Sequence, residues 1–227
     1  MQWLMLSLTA GLITLYPVHG QYDSTLAMSS LYYIKTSYCD SSTIASWSCG
    51  DSCSYHADFE VANVYRNDTT GGQGFSGRSA NGQIVVSWRG SSNIENWIHD
   101  LDFTLVAYPF CSGCYVHKGF WHVYRSMASR MLADVSNLLQ TYPGSPILVT
   151  GHSLGAAVAV HTAIDLLRLV PGVGDIKLYT FGDPRVGDPT FAAWVPTILP
   201  QGKQFRITHA ADPVPHLPPI WVSPRAA

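Results

Sequence analysis

The pentapeptide Gly151-His152-Ser153-Leu154-Gly155 lies between a short apolar run and a long segment with helical periodicity. This position fits a strand, a sharp turn and a helix, the arrangement that presents a serine hydroxyl as a nucleophile. Such a serine attacks an acyl carbonyl after a base removes its proton, and a third group orients that base. In the chain order of this motif, an acid and then a histidine follow the serine.

The two glycines of the pentapeptide give the Ser153 interpretation its weight, because the bare Gly-x-Ser-x-Gly string also arises by chance. Glycines at 151 and 155 allow a helix and a strand to pack closely around a strained serine. The turn also directs the Leu154 amide toward the oxyanion of a tetrahedral intermediate. The sequence therefore predicts Ser153 as the nucleophile and Leu154 as one oxyanion donor.

Alternating strand-like and helix-like segments surround the pentapeptide and must position it. Because parallel strands need crossover connections, this alternation predicts an α/β fold with a central, mostly parallel sheet flanked by helices on both faces. The predicted helices cover residues 23–38, 119–142 and 154–170, and the predicted strands cover 58–65, 83–88, 147–150, 176–181 and 204–208.

Composition excludes several other functions. The 227 residues are 47% hydrophobic and 12% charged, which suits one domain with a substantial core. A formal net charge of −2 without a basic run offers no face for nucleic acid. The nine histidines are scattered without metal-ligand spacing, so we expect neither a metal site nor a cofactor.

Residues 1–20 form an apolar stretch that ends in Val18-His19-Gly20, a pattern that a signal peptidase cuts. The sequence thus predicts a signal peptide over 1–20, an extracellular location, and a mature domain over 21–227. Because no Lys or Arg precedes the apolar residues, an N-terminal anchor or a buried helix is the alternative. No later segment is apolar for long enough to cross a bilayer.

Five cysteines and one sequon fit an exported protein. Cys49 with Cys53 and Cys111 with Cys114 are close enough to close short disulfides, which leaves Cys39 unpaired. A redox Cys-x-x-Cys at 111–114 is the alternative. Asn67 begins a glycosylation sequon, and the polar, Gly-rich stretch that follows to residue 82 is predicted to be an exposed loop.

Four further segments carry a resemblance to a known family. The chain resembles the fungal class 3 lipases, which have the α/β-hydrolase fold, from about Leu26 to Pro219. The matching segments are the pentapeptide, the stretch from Tyr179 through Gly182 and Asp183 to Gly187, the stretch from Arg206 through His209 and Asp212 to Pro219, the stretch from Val86 through Gly90 and Ser91 to Asp100, and Val116-His117-Lys118-Gly119-Phe120.

The resemblance assigns roles to individual residues. It implies that Asp212 is the acid of the triad and that Ser91 completes the oxyanion hole; a turn-forming Asp before Pro213 and a plain polar loop are the alternatives. Residues 92–105 resemble the lipase lid, which opens at a lipid–water interface. Four apolar residues at helical spacing support that likeness: Ile94, Trp97, Ile98 and Leu101. The alternative is that this helix face packs into the protein core.

The expected substrate is a triacylglycerol or another carboxylester. Related feruloyl esterases carry a more polar lid segment, so Trp97 and Ile98 favour acyl lipids. A feruloyl-esterase-type hydrolase and a non-catalytic lipid-surface binding protein remain as alternatives.

The base of the triad is missing from the expected place. In the family, the catalytic histidine follows the Pro-Pro that matches Pro218-Pro219, within Gly-Tyr-x-His, but no histidine follows His216 here. His216 is four residues beyond Asp212 along a proline-stiffened path, so it is not expected to serve as the base. His209 resembles a structural residue.

The cysteine that would pair with Cys39 is also missing. The resemblance implies that Cys39 pairs with a cysteine in the family's C-terminal tail, and no such cysteine is present. The two absences favour a chain cut short near residue 220, as a splice form or incomplete gene model, over an evolved inactive relative. A reading frame after Pro219 that encodes Gly-Tyr-x-His and a cysteine would decide for the former. The polypeptide of residues 21–227 is therefore expected to be nearly inactive, and to lack a last strand.

Overall fold

A six-stranded mixed sheet forms the centre of the computed structural model, which describes residues 21–93 and 102–219. The order across the sheet is β1-β2-β3-β6-β7-β8, and β4 and β5 form a separate hairpin. The predicted signal peptide and the lid residues Ile94, Trp97, Ile98 and Leu101 lie outside the described residues. The strands are β1 (Glu60–Asn67), β2 (Gly72–Arg78), β3 (Ile84–Trp88), β4 (Leu105–Ala107), β5 (Tyr115–His117), β6 (Ile147–His152), β7 (Ile176–Phe181) and β8 (Gln204–Ile207).

Helices cover both faces of this sheet, as predicted. Asp23 begins α1, and its carboxylate accepts hydrogen bonds from the amides of Thr25 and Leu26 at 2.9 and 3.0 Å. The described helices are α1 (Ser24–Ser37), α2 (Ser41–Ala45), α3 (Asp51–Ser54), α4 (Lys118–Thr141), α5 (Leu154–Leu169) and α6 (Pro189–Ile198). None of them is long and apolar enough to cross a bilayer.

The parallel half of the sheet confirms the predicted topology. β3, β6, β7 and β8 run parallel, with α4, α5 and α6 as their successive crossovers, while β1 and β2 add an antiparallel edge. The carboxyl ends of parallel strands meet at one edge of the sheet, where open α/β sheets gather functional groups. The residues after β3, β6, β7 and β8 are therefore brought together.

Alternation along the strands divides the core into two layers. Ile84, Val86 and Trp88 of β3 face the cluster under α4, α5 and α6, whereas Val85 faces the cluster under α1. The same alternation places Val149 of β6 on the first side and Leu148 on the second. Both faces of β3 and β6 are thus buried, which explains their continuous apolar sequences.

The predicted exposed loop after Asn67 is wrong over most of its length. Residues 68–71 and 79–82 form turns, but β2 lies between them with all but its last residue buried. A Cβ atom on Gly74 would collide with the Trp88 ring, and one on Gly77 would collide with the Glu60 carbonyl. Glycine lets large neighbouring rings cover this strand, so its burial leaves no apolar pattern in the sequence.

Helix α6 was not predicted, because Pro189 and Pro196 resemble helix breakers. Pro189 is the first helical residue, where the missing amide proton is not needed. The Asp188 carboxylate caps the helix by accepting from the Phe191 amide at 2.8 Å. Its buried residues, Phe191 and Val195, pack against the core under α5.

A fully buried histidine lies in the middle of this core. His161 of α5 is surrounded by the rings of Tyr108, Trp121, Tyr124 and Phe191, with ring centroids between 5.1 and 5.9 Å away. Neither ring nitrogen has a hydrogen-bond partner among the described residues. Burial lowers the pKa of His161 to about 3, so this imidazole is neutral in the folded protein.

We expect replacement of His161 by Phe to reduce the loss of stability in acid. The unfolded chain protonates this histidine below pH about 6.5, whereas the folded chain stays neutral to about pH 3. The free energy of unfolding therefore falls with decreasing pH across this window, by up to about 1.4 kcal/mol per pH unit. Urea midpoints at pH 7 and pH 4.5 measure the effect. Asp183, whose pKa burial raises to about 7, opposes it equally in both proteins. A stability difference between the two proteins that is independent of pH would contradict the account.

Candidate active site

Ser153 occupies a strained turn between β6 and α5. Its backbone has φ +55° and ψ −125°, a left-handed conformation that costs energy for any residue with a side chain. The Ser153 amide donates to the Phe181 carbonyl at 3.0 Å, which fixes the turn against β7. This is the strand–turn–helix geometry expected for a nucleophilic serine at the carboxyl end of a sheet.

The two flanking glycines are required by close backbone approach. A Cβ atom on Gly151 would collide with the Gly155 carbonyl, and one on Gly155 would collide with the Trp88 carbonyl. Each glycine thus lets the first turn of α5 pack directly on the sheet. The prediction made from their spacing alone agrees with this geometry.

The hydroxyl of Ser153 is buried and unpartnered. The residue has no exposed surface, and its Oγ has no hydrogen-bond partner among the described residues. A buried hydroxyl without a partner costs free energy, and such groups are rare outside functional sites. In a complete triad this oxygen donates its proton to a histidine.

The Asp212 carboxylate lies beside this turn. Its Oδ1 accepts from the Val214 amide at 2.9 Å, and its Oδ2 lies 2.9 Å from the place where a Cβ on Gly182 would be. The His152 Nε2 is 3.5 Å from the same point, so the carboxylate and this ring approach each other over Gly182. Attraction to Asp212 partly offsets the burial that lowers the pKa of His152.

Two arginines hold the loop that carries Asp212. Arg206 donates to the carbonyls of Asp183 at 2.5 Å and Pro215 at 2.8 Å. Arg185 donates to the His216 carbonyl and, at 2.7 Å, to that of Pro218. Hydrogen bonds from charged donors are stronger than neutral ones, so these contacts position the acid.

The loop after β3 abuts the nucleophile. A Cβ on Gly90 would lie 2.7 Å from the His152 carbonyl and 3.1 Å from the Ser153 Cβ, so only a glycine permits this approach. Ser91 follows Gly90 directly and is half-buried; its hydroxyl donates to the Asn93 carbonyl at 3.2 Å. Leu154 is the first residue of α5, and amides in a first turn have no acceptor within their own helix. Leu154 thus adjoins Ser153 along the chain, and Ser91 follows Gly90, which abuts Ser153 in space.

Tyr38 joins this site from a distant part of the sequence. Its hydroxyl lies 2.7 Å from the His152 Nδ1 and accepts from the Gly90 amide at 3.1 Å. One phenol therefore connects the end of α1, the loop after β3 and the turn at Ser153. Sequence reasoning missed it, because 114 residues separate Tyr38 from His152 and no local motif marks the contact.

We expect Tyr38→Phe to lower the free energy of unfolding by about 1–2 kcal/mol, because it leaves the Gly90 amide and the His152 Nδ1 without their partner. Urea unfolding of residues 21–227 measures this loss. Tyr55→Phe is the matched control, since Tyr55 is similarly exposed, at 46% against 40%. Equal effects of the two changes would show that the Tyr38 hydroxyl positions nothing.

Neither of the histidines near Asp212 bonds to the Ser153 hydroxyl, in agreement with the expectation that they do not serve as the base. His209 and His216 are exposed, and the Ser153 Oγ contacts neither ring by a hydrogen bond. His152 is nearer, but Tyr38 occupies its Nδ1 and its Nε2 faces Asp212. No group of three or more possible metal ligands occurs among residues 21–93 and 102–219.

Both predicted disulfides are present. Cys49 pairs with Cys53 and Cys111 with Cys114, with Cα atoms 5.2 and 5.4 Å apart, and Cys39 is free within the described residues. The second disulfide closes the loop of the β4–β5 hairpin. Asn67 lies at the end of β1, and its side-chain oxygen accepts from the Thr70 amide at 3.1 Å. Its glycosylation stays a prediction.

Comparison with known proteins places the chain among lipases. The model of the family described as Lipase (class 3) matches residues 85–221. A lipase of Rhizomucor miehei is 45% identical over 139 residues, which is 60% of this chain and 38% of the relative. Secreted mono- and diacylglycerol lipase 1 of Fusarium solani is 42% identical over 142 residues, covering 63% of this chain and 41% of the relative. The matched segment thus spans about two fifths of these curated relatives.

Solved structures agree with the sequence matches. The Rhizomucor miehei triacylglyceride lipase superposes with a TM-score of 0.79 at 35% identity, covering 87% of this chain and 76% of the other. A structure described as a triacylglycerol lipase with a serine protease triad at its catalytic centre gives 0.78 at 35% identity and the same coverage. The fold, the strained turn at Ser153 and the extent of these matches agree: the chain belongs to the class 3 lipase family.

Proposed function

We propose that this chain forms most of the catalytic domain of an extracellular lipase that hydrolyses carboxylesters of acyl lipids through Ser153. The observation that carries this proposal is the geometry around the buried Ser153 hydroxyl. The Ser153 backbone is held in a strained left-handed turn. The Asp212 carboxylate and the ring of the preceding His152 approach each other over Gly182, and Gly90 of the loop that carries Ser91 abuts the Ser153 side chain. These are the parts of an acyl-transfer site other than the base.

In the complete reaction, a histidine takes the Ser153 proton while the Oγ attacks the ester carbonyl. The resulting oxyanion accepts from the amides of Leu154 and Ser91. The histidine then gives the proton to the leaving alcohol, and an acyl-enzyme forms. Water, deprotonated by the same histidine, hydrolyses the acyl-enzyme and returns the serine. Asp212 orients the imidazole and stabilises its protonated form.

Among residues 21–93 and 102–219 we propose that no histidine performs this role. The Nδ1 of His152 is bonded to the Tyr38 hydroxyl and its Nε2 faces Asp212. His209 and His216 are exposed and lie close to Asp212 in the sequence. The unpartnered Ser153 Oγ supports this reading. Among residues 21–93 and 102–219, Ser153 thus has a carboxylate and an oxyanion loop near its turn but no histidine bonded to its hydroxyl.

The relatives support an acyl-lipid substrate. Two of the matched proteins bear the names secreted mono- and diacylglycerol lipase and triacylglyceride lipase. The apolar Trp97 and Ile98 favour the same substrate class, and these names also support an extracellular location.

A chimera tests the substrate class. Residues 21–219 would be joined to the segment of the Rhizomucor miehei lipase that follows its matching Pro-Pro and carries the family's histidine. We expect this chimera to hydrolyse tributyrin in preference to methyl ferulate. Preference for the ferulate would favour the feruloyl esterase class instead, and the matched control is the same chimera with Ser153→Ala.

A further inference from the structure

A buried carboxyl group that the mechanism does not use lies beside the candidate active site. Asp183 comes two residues after the end of β7 and is only 6% exposed. Its Oδ2 accepts from the Thr180 hydroxyl at 3.2 Å, but its Oδ1 has no hydrogen-bond partner among the described residues. Because a buried carboxyl oxygen without a partner is costly and rare, Asp183 needs an explanation.

Arg206 of β8 connects Asp183 with the loop that carries Asp212. Its Nε and Nη2 donate to the backbone carbonyl of Asp183 at 3.2 and 2.5 Å, and the same Nη2 donates to the Pro215 carbonyl at 2.8 Å. Pro215 lies in the short 3-10 helix after Asp212, and the amide of Val214 in this helix bonds the Asp212 carboxylate. One guanidinium thus ties the loop of Asp212 to residue 183.

The Asp183 side chain competes with Pro215 for this guanidinium only when it is ionised. A neutral carboxyl attracts Arg206 weakly, whereas a buried carboxylate attracts a nearby cation strongly, and Oδ1 can accept from it. Burial raises the pKa of Asp183 to about 7, and attraction to Arg206 and the bond from Thr180 offset this only in part. The unfolded chain ionises this group near pH about 4, so the buried carboxylate costs the folded chain stability as the pH rises toward neutrality.

The other charged and titratable groups around Asp183 are held by contacts of their own. The Arg185 guanidinium donates to two carbonyls further along the loop of Asp212. The Asp212 carboxylate accepts from an amide of its own loop and faces the ring of His152. Burial lowers the pKa of His152, so this ring stays neutral above pH about 6.5. Among the groups that the structure describes around Asp183, Arg206 is the cation that an ionised Asp183 would attract.

We propose that Asp183 is a pH-sensitive switch for the loop that carries the acid of the triad. When its carboxyl loses the proton, Arg206 turns from the Pro215 carbonyl to the carboxylate, and the loop of Asp212 loosens. Arg206 is thus a positioning residue for Asp212, and the charge of Asp183 decides whether it acts. Only the catalytic consequence, a fall in activity as the pH rises through neutrality, rests on the proposed function. The switch itself requires no turnover.

Hydrogen–deuterium exchange of residues 21–227 tests the proposal without catalysis. The peptide 208–217 is suited to this test, because several of its amides donate to acceptors within the loop. Its protection, corrected for the intrinsic pH dependence of exchange, is expected to fall about tenfold between pH 5.5 and pH 8, since a coupled equilibrium shifts by up to about tenfold per pH unit above the pKa. Protection of a peptide from α5 is expected to stay constant.

Asp183→Asn removes the ionisation but keeps an oxygen that can accept from Thr180. In this protein the peptide 208–217 is expected to keep its protection at pH 8. Asp175→Asn is the matched control, because the Asp175 carboxylate is exposed and pairs with Lys203 at 2.6 Å. It is expected to show the same tenfold loss as the protein with both aspartates.

The remaining outcomes separate the switch from a general effect of pH. An equal loss of protection with and without Asp183→Asn would overturn the proposal. So would an equal loss in the α5 peptide, since ionisation would then unfold the domain rather than the loop. If Asp183→Asn does not fold, Arg206→Gln repeats the test: low protection at both pH values is expected, and an unaltered pH dependence would overturn the proposal. A switching loop in a chain whose chimera lacks turnover would contradict the proposed function and leave the switch standing.

Discussion

Residues 21–227 are expected to hydrolyse a soluble p-nitrophenyl ester on the order of a millionfold more slowly than a class 3 lipase with a complete triad. The reason is that triad members act as a unit, and the Ser153 Oγ has no hydrogen-bond partner to take its proton among the described residues. Initial rates at matched protein concentration, with the Rhizomucor miehei lipase as the reference, measure this difference.

The Ser153→Ala protein is the control for that comparison. Any residual rate arises without an activated serine, so it should be nearly the same in both proteins. Readily measured turnover that disappears in Ser153→Ala would contradict the account. It would mean that a histidine of residues 21–227 serves as the base after all.

Gly151→Ala is expected to cost about 4 kcal/mol or more, enough to prevent folding of a marginally stable domain. The new Cβ would meet the Gly155 carbonyl and lie 2.8 Å from the Ala156 amide nitrogen. These are backbone atoms of the first turn of α5, which cannot move without displacing the helix from the sheet. Soluble yield and the circular dichroism spectrum of the purified protein measure the outcome.

Gly174→Ala is the matched control for this substitution. A Cβ at Gly174 would have no atom within 4 Å, so the change should leave folding intact. A Gly151→Ala protein that folds as well as the Gly174→Ala protein would contradict the packing argument. Such a result would also remove the reason for a glycine at the start of the pentapeptide.

Local signals were sufficient to predict much of this fold. Buried strands such as β3 and β6 are continuous apolar runs, and α4 and α5 carry long helical periodicity, so their existence and order follow from the sequence. Strand β2 was missed because its glycines supply no apolar pattern, and helix α6 was missed because Pro189 and Pro196 resemble helix breakers. In both cases, contacts with distant residues decide the structure.

The residues of the candidate site also divide into those that local sequence signals or the family resemblance predict and those that depend on contacts between distant segments. Ser153 and Leu154 follow from a pentapeptide with its own geometric signature, and the Asp212 and Ser91 assignments came from the family resemblance. Tyr38 could not be found, because its contacts depend on where α1, the loop after β3 and the turn at Ser153 meet. The sequence does reveal that no histidine follows His216, and the structure adds that the Ser153 hydroxyl has no hydrogen-bond partner in the part of the chain that it describes.

We propose that Ser153 has its acid and its oxyanion loop and needs only a base. The most direct test uses the chimera of residues 21–219 with the Rhizomucor miehei segment. Its turnover of tributyrin is measured with the histidine that this segment supplies either intact or changed to alanine. The account predicts that the intact chimera is active, and that either the histidine change or Ser153→Ala abolishes the activity. A folded chimera without turnover would contradict it, because a part other than the base would then be missing.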